Sequence, residues 1–327
     1  VIIYESDIQI IKLILKYSNL AWILETGRVK IIYDPEFEQL SGILSKFNGK
    51  LIMNHQSIAS IKQENIKKTI ESTFISISSI QKQRKMLEHN FVHNILSTPK
   101  LLSDVKDEIN GKRVLYIAGG PSLDDDIECL KDVCKKKMDN IVIISAGTVL
   151  NKLVKENIIP NFVILSDAKT SIVKQIDCIS KEMQKRINLL YLSSVSDKVV
   201  EIWNGEKYMI LQKDFSMAEK YAQSRQEELC ETGGSVSTLA VDVALRAGCI
   251  SLICVGLDLA YTHNKTHANN TKEWEIEQIE SNASLIDVMS TDGGRVKTGK
   301  VYEIYRKFIE NRIYKNDNKV VIYNTSS

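Results

Sequence analysis

Short apolar blocks recur along the carboxyl-terminal part of the chain, each followed by small or acidic residues and then by a stretch with apolar positions three and four apart. Val114–Ala118, Ile141–Ser145 and Phe162–Leu165 predict strands; Leu189–Leu192, Met209–Leu211 and Ile250–Val255 are further candidates. Helices are predicted between them, from Asp124 to about Lys137, from Thr148 to the Ile159-Pro160 stop, and from Val236 to Ala247 before Gly248. Strands apolar on both faces and alternating with helices specify an α/β protein with a mainly parallel, Rossmann-like sheet covered on both faces.

The pattern differs upstream. Val1–Tyr4 predicts a strand and Asp7–Tyr17 a helix, followed by apolar runs at Leu20–Leu24 and Val29–Tyr33, a small α/β pattern. From Pro35 to about Ser103 the chain becomes helical, most clearly over Gln63–Leu96, where Phe91 and Ile95 are expected to face a core. The expected organisation is an amino-terminal α/β and helical segment over residues 1–105 and a nucleotide-binding domain over 106–327. The strand-like run Val320–Tyr323, so near the last residue, reads as part of a longer protein.

Composition narrows the partners. With 43 Lys+Arg against 41 Asp+Glu, the formal charge of +2 gives no signal for nucleic acid or for an anionic membrane surface. The absence of a long apolar run and of a secretory leader points to a cytoplasmic protein. The six cysteines show no metal-ligand spacing and are expected to be reduced and mostly buried. A homo-oligomer is left open.

The chemistry-bearing residues fall where the strands end, the edge at which parallel sheets bind ligands. Gly119-Gly120-Pro121-Ser122 joins a strand to a helix: the glycines permit close backbone approach, and helix-start N–H groups suit a phosphate. An ordinary tight turn fits the same residues. Asp124, Asp125 and Asp126 read as first-turn acids facing the helix dipole. Thr232-Gly233-Gly234-Ser235 opens a second helix in the same way. Ser145, Gly147 and Thr148 offer small and hydroxyl groups to a base or ribose, or a plain turn, while Asp167 and Asp258 end strands where a carboxylate meets a ribose, a cation or a helix cap. After Asp258 come Tyr261, His263 and His267, and either histidine could exchange a proton with an acceptor. P-loop, GxGxxG, HExxH and GxSxG signatures are missing from these turns.

Taken together, AGGPSLDDDIECLK, SAGTVLNKLVKENIIPNFVILSDA and TGGSVSTLAVDVALRAGCISLICVGLDLAYTHNKTHA resemble the motility accessory factor (Maf) family of flagellin glycosyltransferases, over Lys112–Ala268. VIIYESDIQIIK resembles the family's first strand and helix, with Ser6 where proline is common, and IYNTSS resembles the start of its last motif. The same domain is similar to archaeal 6-hydroxymethylpterin diphosphokinase and, more distantly, to sialyltransferases that use a CMP-sugar. The resemblance implies transfer of a nonulosonic acid, of pseudaminic or legionaminic type, from a CMP-activated donor to Ser or Thr of flagellin, with no metal or other cofactor required. It implies donor binding by Gly119, Gly120, Pro121 and Ser122 and by Gly233, Gly234 and Ser235; from the residues themselves, Ser145, Gly147, Thr148, Asp167, Thr232 and Tyr261 are expected beside the nucleotide, with His267 as base and Asp258 orienting it or the acceptor. One rival is Mg²⁺-dependent pyrophosphoryl transfer to a pterin alcohol, with Asp167 and Asp258 holding the ion. A non-catalytic flagellin-binding export factor is the other.

Overall fold

The computed structural model describes the chain apart from residues 41, 44–51, 53, 60, 63, 98, 137–139, 263–264, 266, 270–284, 291–292, 317–319 and 327, and without the side chains of 55, 59, 65, 69 and 72–82. His263 therefore lies outside the described residues. The chain divides into two compact units, 1–83 and 84–327.

In the first unit, β1 (Ile2–Glu5) and β2 (Lys30–Tyr33) pair in parallel and are joined through the helix Ile8–Tyr17. That helix starts at Asp7 because the Asp7 carboxylate accepts the Gln9 N–H at 2.8 Å, supplying a partner for a first-turn donor. Of the two apolar runs that follow the helix, the second forms β2 and the first is a short helical turn, Ala21–Leu24.

The second unit is built on an eight-stranded sheet: β3 (Lys100–Leu101), β4 (Arg113–Ile117), β5 (Ile141–Ala146), β6 (Phe162–Leu165), β7 (Asn188–Leu192), β8 (Lys207–Ile210), β9 (Ser251–Val255) and β12 (Val321–Asn324). The spatial order is β12-β9-β4-β5-β6-β7-β8-β3, and every pair is parallel. Side chains alternate across the pleat: Phe162, Ile164, Leu190 and Ile210 enter one core with Leu239 and Val243 of the helix Val236–Arg246, while Val163, Leu165, Tyr191 and Met209 enter another with Phe91, Val199 and Trp203. Two buried apolar faces on these central strands explain their near-continuous hydrophobic runs in the sequence. Residues 84–105, grouped in the sequence with the amino-terminal segment, supply the end of the helix Glu64–Leu96 and the edge strand β3 to this unit.

Phe91 is 2% exposed and meets Phe215 edge-on, with ring centroids 5.5 Å apart, and Ile95 packs beside it as expected. The polar residues on the same helix were not singled out in the sequence. The buried Asn90 amide donates to the carbonyls of Ala168 (2.9 Å) and Ser194 (3.1 Å), and the buried Asn94 amide to those of Ser193 (3.0 Å) and Val195 (3.0 Å). These bonds satisfy loop carbonyls that β6 and β7 leave unpaired at their carboxyl ends. Asn94→Ala is expected to cost about 1–3 kcal/mol, because two buried acceptors lose their donor. Urea unfolding measures this, and an unchanged midpoint would mean that water replaces the amide.

Beyond β9 the chain adds an antiparallel hairpin, β10 (Ile286–Met289) with β11 (Arg295–Thr298), and the helix Lys300–Lys315 before β12. Cys230, Cys249 and Cys254 are buried, Cys134 is half-buried, and Cys129 and Cys178 are exposed; all six are free thiols. Burial pushes the Cys249 thiol up to about 11 and those of Cys230 and Cys254 in the same direction, so none of these three is a thiolate at neutral pH. Among the described residues, no helix is long and apolar enough to cross a membrane.

Candidate functional site

The chain leaves β4 toward β5 on one side, and β9 leads toward β12 on the other, so the switch point lies between the carboxyl ends of β4 and β9. Two glycines close it. Gly120 donates its N–H to the Gly256 carbonyl at 2.7 Å, and a Cβ on Gly120 would stand 2.6 Å from that oxygen and 2.7 Å from Cγ of Asp258. Only glycine fits such an approach.

Asp258 fills the start of the helix Leu123–Lys135. Its Oδ2 accepts the Ser122 N–H at 3.0 Å and its Oδ1 accepts the Ser122 hydroxyl, which also reaches the Ser326 hydroxyl at 3.0 Å. The next N–H groups, of Leu123, Asp124 and Asp125, bond to the carbonyls of Gly120, Pro121 and Ser122. From Gly120 to Asp125 every N–H has a partner inside the protein, and the helix dipole already faces a carboxylate. The phosphate expected at this turn would have to displace Asp258. Asp258 thus positions the turn, and its two oxygens are engaged by Ser122.

Gly119 lies toward β5. A Cβ there would be 2.9 Å from Oγ1 of Thr148 and 3.4 Å from Cδ2 of His267, so the structure brings these three predicted residues together. The two residues after His267 are held in place. Ala268 donates to the Gly119 carbonyl at 3.0 Å, Asn269 donates to Oδ2 of Asp124 at 3.0 Å, and the buried Lys152 ammonium binds Asp124 and, at 3.1 Å, the Asn269 carbonyl. Asp124 is therefore more than a first-turn acid: it ties the histidine segment to two helices. Ser145, at the end of β5, is fully buried, with a hydroxyl that has no hydrogen-bond partner among the described residues. Gly147 is needed for packing, since a Cβ would stand 2.2 Å from Leu165 and 2.4 Å from Oε1 of Gln175.

The second helix start differs from the first. Ser235 and Thr238 form a capping box, and Gly233 and Ser235 donate to Oγ1 of Thr238 at 3.0 and 3.2 Å. The N–H groups of Gly234, Val236 and Ser237 have no partner among the described residues, and Gly234, at φ +95°, is exposed. Tyr116 of β4 donates to the Ser237 hydroxyl at 2.9 Å, which places this helix start at the carboxyl edge of the sheet. Tyr305 donates to the Gly234 carbonyl at 3.1 Å, and the Phe308 ring occupies the place a Gly233 side chain would take. Thr232 is half-buried just ahead of these glycines. Tyr261, Tyr302 and Tyr305 continue as a row, with centroids 5.4 and 6.4 Å apart. Burial, then Tyr261, Tyr305 and Asp258, push the Tyr302 phenol up to about 12, so it is a neutral donor at physiological pH.

Asp167 stands apart. It is exposed, and its Oδ1 accepts the Lys169 N–H at 3.0 Å, a local turn. β6 is three strands from β9, roughly 14 Å at about 4.8 Å per strand. Each carboxylate is engaged locally, Asp167 by the Lys169 N–H and Asp258 by Ser122. Tyr302, Tyr305, Phe308 and Arg312 went unread in the sequence, although their spacings of three and four mark one helical side. Arg312 binds Asp242, which is fully buried, at 2.6 Å, and Arg246 binds the other Asp242 oxygen at 2.7 Å. This joins the tyrosine-bearing helix to the helix Val236–Arg246.

The fold is a doubly wound parallel α/β sheet whose polar, glycine-rich loops meet at its switch point. Residues 89–264 match the model of the family described as 6-hydroxymethylpterin diphosphokinase MptE-like. The chain belongs to that family. Among solved structures, a Maf glycosyltransferase from Magnetospirillum magneticum AMB-1 is similar over the whole chain, with a TM-score of 0.59 and 18% identity. The chain spans 51% of the length of that protein. A search of curated proteins gives no significant match.

Proposed function

We propose that this chain transfers a nonulosonic acid from a CMP-activated donor to a Ser or Thr hydroxyl of flagellin in the cytoplasm. The observation that carries this reading is the contrast between the two helix starts. One is filled by the Asp258 carboxylate, and the other keeps the N–H groups of Gly234, Val236 and Ser237 open beside Tyr305. One open anion-binding place suits the single phosphate of a CMP-sugar. The tyrosine row supplies aromatic faces for the base and neutral hydroxyls for the sugar carboxylate.

In this reading His267, beside Gly119 and Thr148, takes the proton from the acceptor hydroxyl. The oxygen then bonds to the anomeric carbon from the side opposite the phosphate as the carbon–oxygen bond to the phosphate breaks, so that CMP leaves and the configuration at the anomeric carbon is inverted. Likeness to the Maf glycosyltransferase supports the assignment, and the Maf-like motifs supply the donor and acceptor. The diphosphokinase alternative draws on the family's description, with Asp167 and Asp258 as its Mg²⁺ pair; the local bonds of these two carboxylates, to Lys169 and to Ser122, favour the metal-independent reading.

Incubation with flagellin and CMP-pseudaminic or CMP-legionaminic acid should raise the intact flagellin mass by whole nonulosonic acid increments, equally with and without EDTA. Formation of a pterin diphosphate from ATP and Mg²⁺ with no change in flagellin would support the rival enzyme. Tight flagellin binding without turnover of any donor would support the export factor.

A further inference from the structure

His89 and His93 stand one turn apart on the helix Glu64–Leu96, with ring centroids 4.3 Å apart. Asp197 opens the helix Asp197–Ile202 after β7, and its Oδ2 lies 3.7 Å from Nε2 of His89. One ligand atom from each residue can be chosen so that all lie within 4.8 Å of one another. Two ligands on a tetrahedral ion stand about 3.4 Å apart, so small side-chain rotations close the set. Both histidines are exposed and free to make them, whereas the Asp197 carboxylate is 22% exposed and held by the Lys198 N–H at 2.9 Å.

The backbone under these groups is fixed. Asn90 and Asn94, each next to one of the histidines, bind the carbonyls of Ser193, Ser194 and Val195, just ahead of Asp197. Two imidazoles with one carboxylate suit zinc and its neighbours, whereas Mg²⁺ and Ca²⁺ take oxygen ligands. We propose that His89, His93 and Asp197 bind one divalent transition-metal ion of the zinc type, with water completing its shell. The ion cross-links the helix to the start of the helix after β7 and acts independently of sugar transfer.

The test uses the full chain, freed of metal, titrated with Co²⁺ for visible absorption and with Zn²⁺ for calorimetry and thermal midpoint. The expected results are one ion per chain, a tetrahedral Co²⁺ spectrum, and a Zn²⁺-dependent rise in midpoint. His93→Ala and Asp197→Asn should each weaken binding by roughly tenfold or more, as loss even of an outer-shell partner does. Their metal-free circular dichroism should be unchanged, since both sites are at the surface. Wild-type chain without one-to-one binding, or a His89→Ala/His93→Ala double variant that binds Co²⁺ as tightly as wild type, would overturn the assignment.

Discussion

His267→Ala is expected to lower turnover by roughly 10²–10⁴-fold and to leave the dissociation constant of the donor within about twofold, as the proposed role of general base requires when the binding groups remain. The separation of the two effects follows from the geometry. His267 lies against Gly119 and Thr148, whereas the open N–H groups and tyrosines assigned to the donor come from the turn at 232–238 and from the helix Lys300–Lys315. The His267 backbone is held by its neighbours, Ala268 on Gly119 and Asn269 on Asp124, so removal of the ring leaves the loop anchored. Steady-state kinetics with a CMP-nonulosonic acid, paired with calorimetry of CMP, reads both quantities. Equal losses in turnover and affinity would reassign the ring to packing, and unchanged turnover would remove it from the chemistry.

The second large effect is on stability. Asp242 is fully buried; its Oδ2 accepts from Arg246 (2.7 Å) and from the Glu231 N–H (2.8 Å), and its Oδ1 forms an ion pair with Arg312 (2.6 Å). Asp242→Ala leaves two guanidinium groups facing a carboxylate-sized gap, and loss of one partner in a buried ion network costs about 3–5 kcal/mol. For a domain of this size that lowers the thermal midpoint by about 10 °C. Since Arg312 lies on the helix that carries Tyr302 and Tyr305, donor affinity should fall with it. A midpoint within about 2 °C of wild type would show that the network contributes little to holding this helix.

The central strands β4 to β8 were legible because they bury both faces, and the order of turns at the strand ends carried the family resemblance. The bonding state of those turns was not legible. Gly119-Gly120-Pro121-Ser122 and Thr232-Gly233-Gly234-Ser235 look alike in sequence, yet one start is filled by Asp258, which lies far along the chain, and the other is open. Asp167 and Asp258 both follow an apolar strand, and only the strand order shows that three spacings part them. The helix Lys300–Lys315 could have been found from Tyr302, Tyr305, Phe308 and Arg312 at helical spacing, but its charged remainder hid the stripe among Lys, Arg and Glu. Asn90 and Asn94 give no sequence signal of their own, because their partners are loop carbonyls about a hundred residues away.

The central claim, one nucleotide monophosphate site at the switch-point edge, is tested most directly by the thermal midpoint of the chain with CMP, CTP, UDP, GDP and ATP, each with and without Mg²⁺. The account predicts a rise with CMP that does not depend on Mg²⁺ and is reduced in Tyr305→Ala. A rise with ATP and Mg²⁺ alone would contradict it.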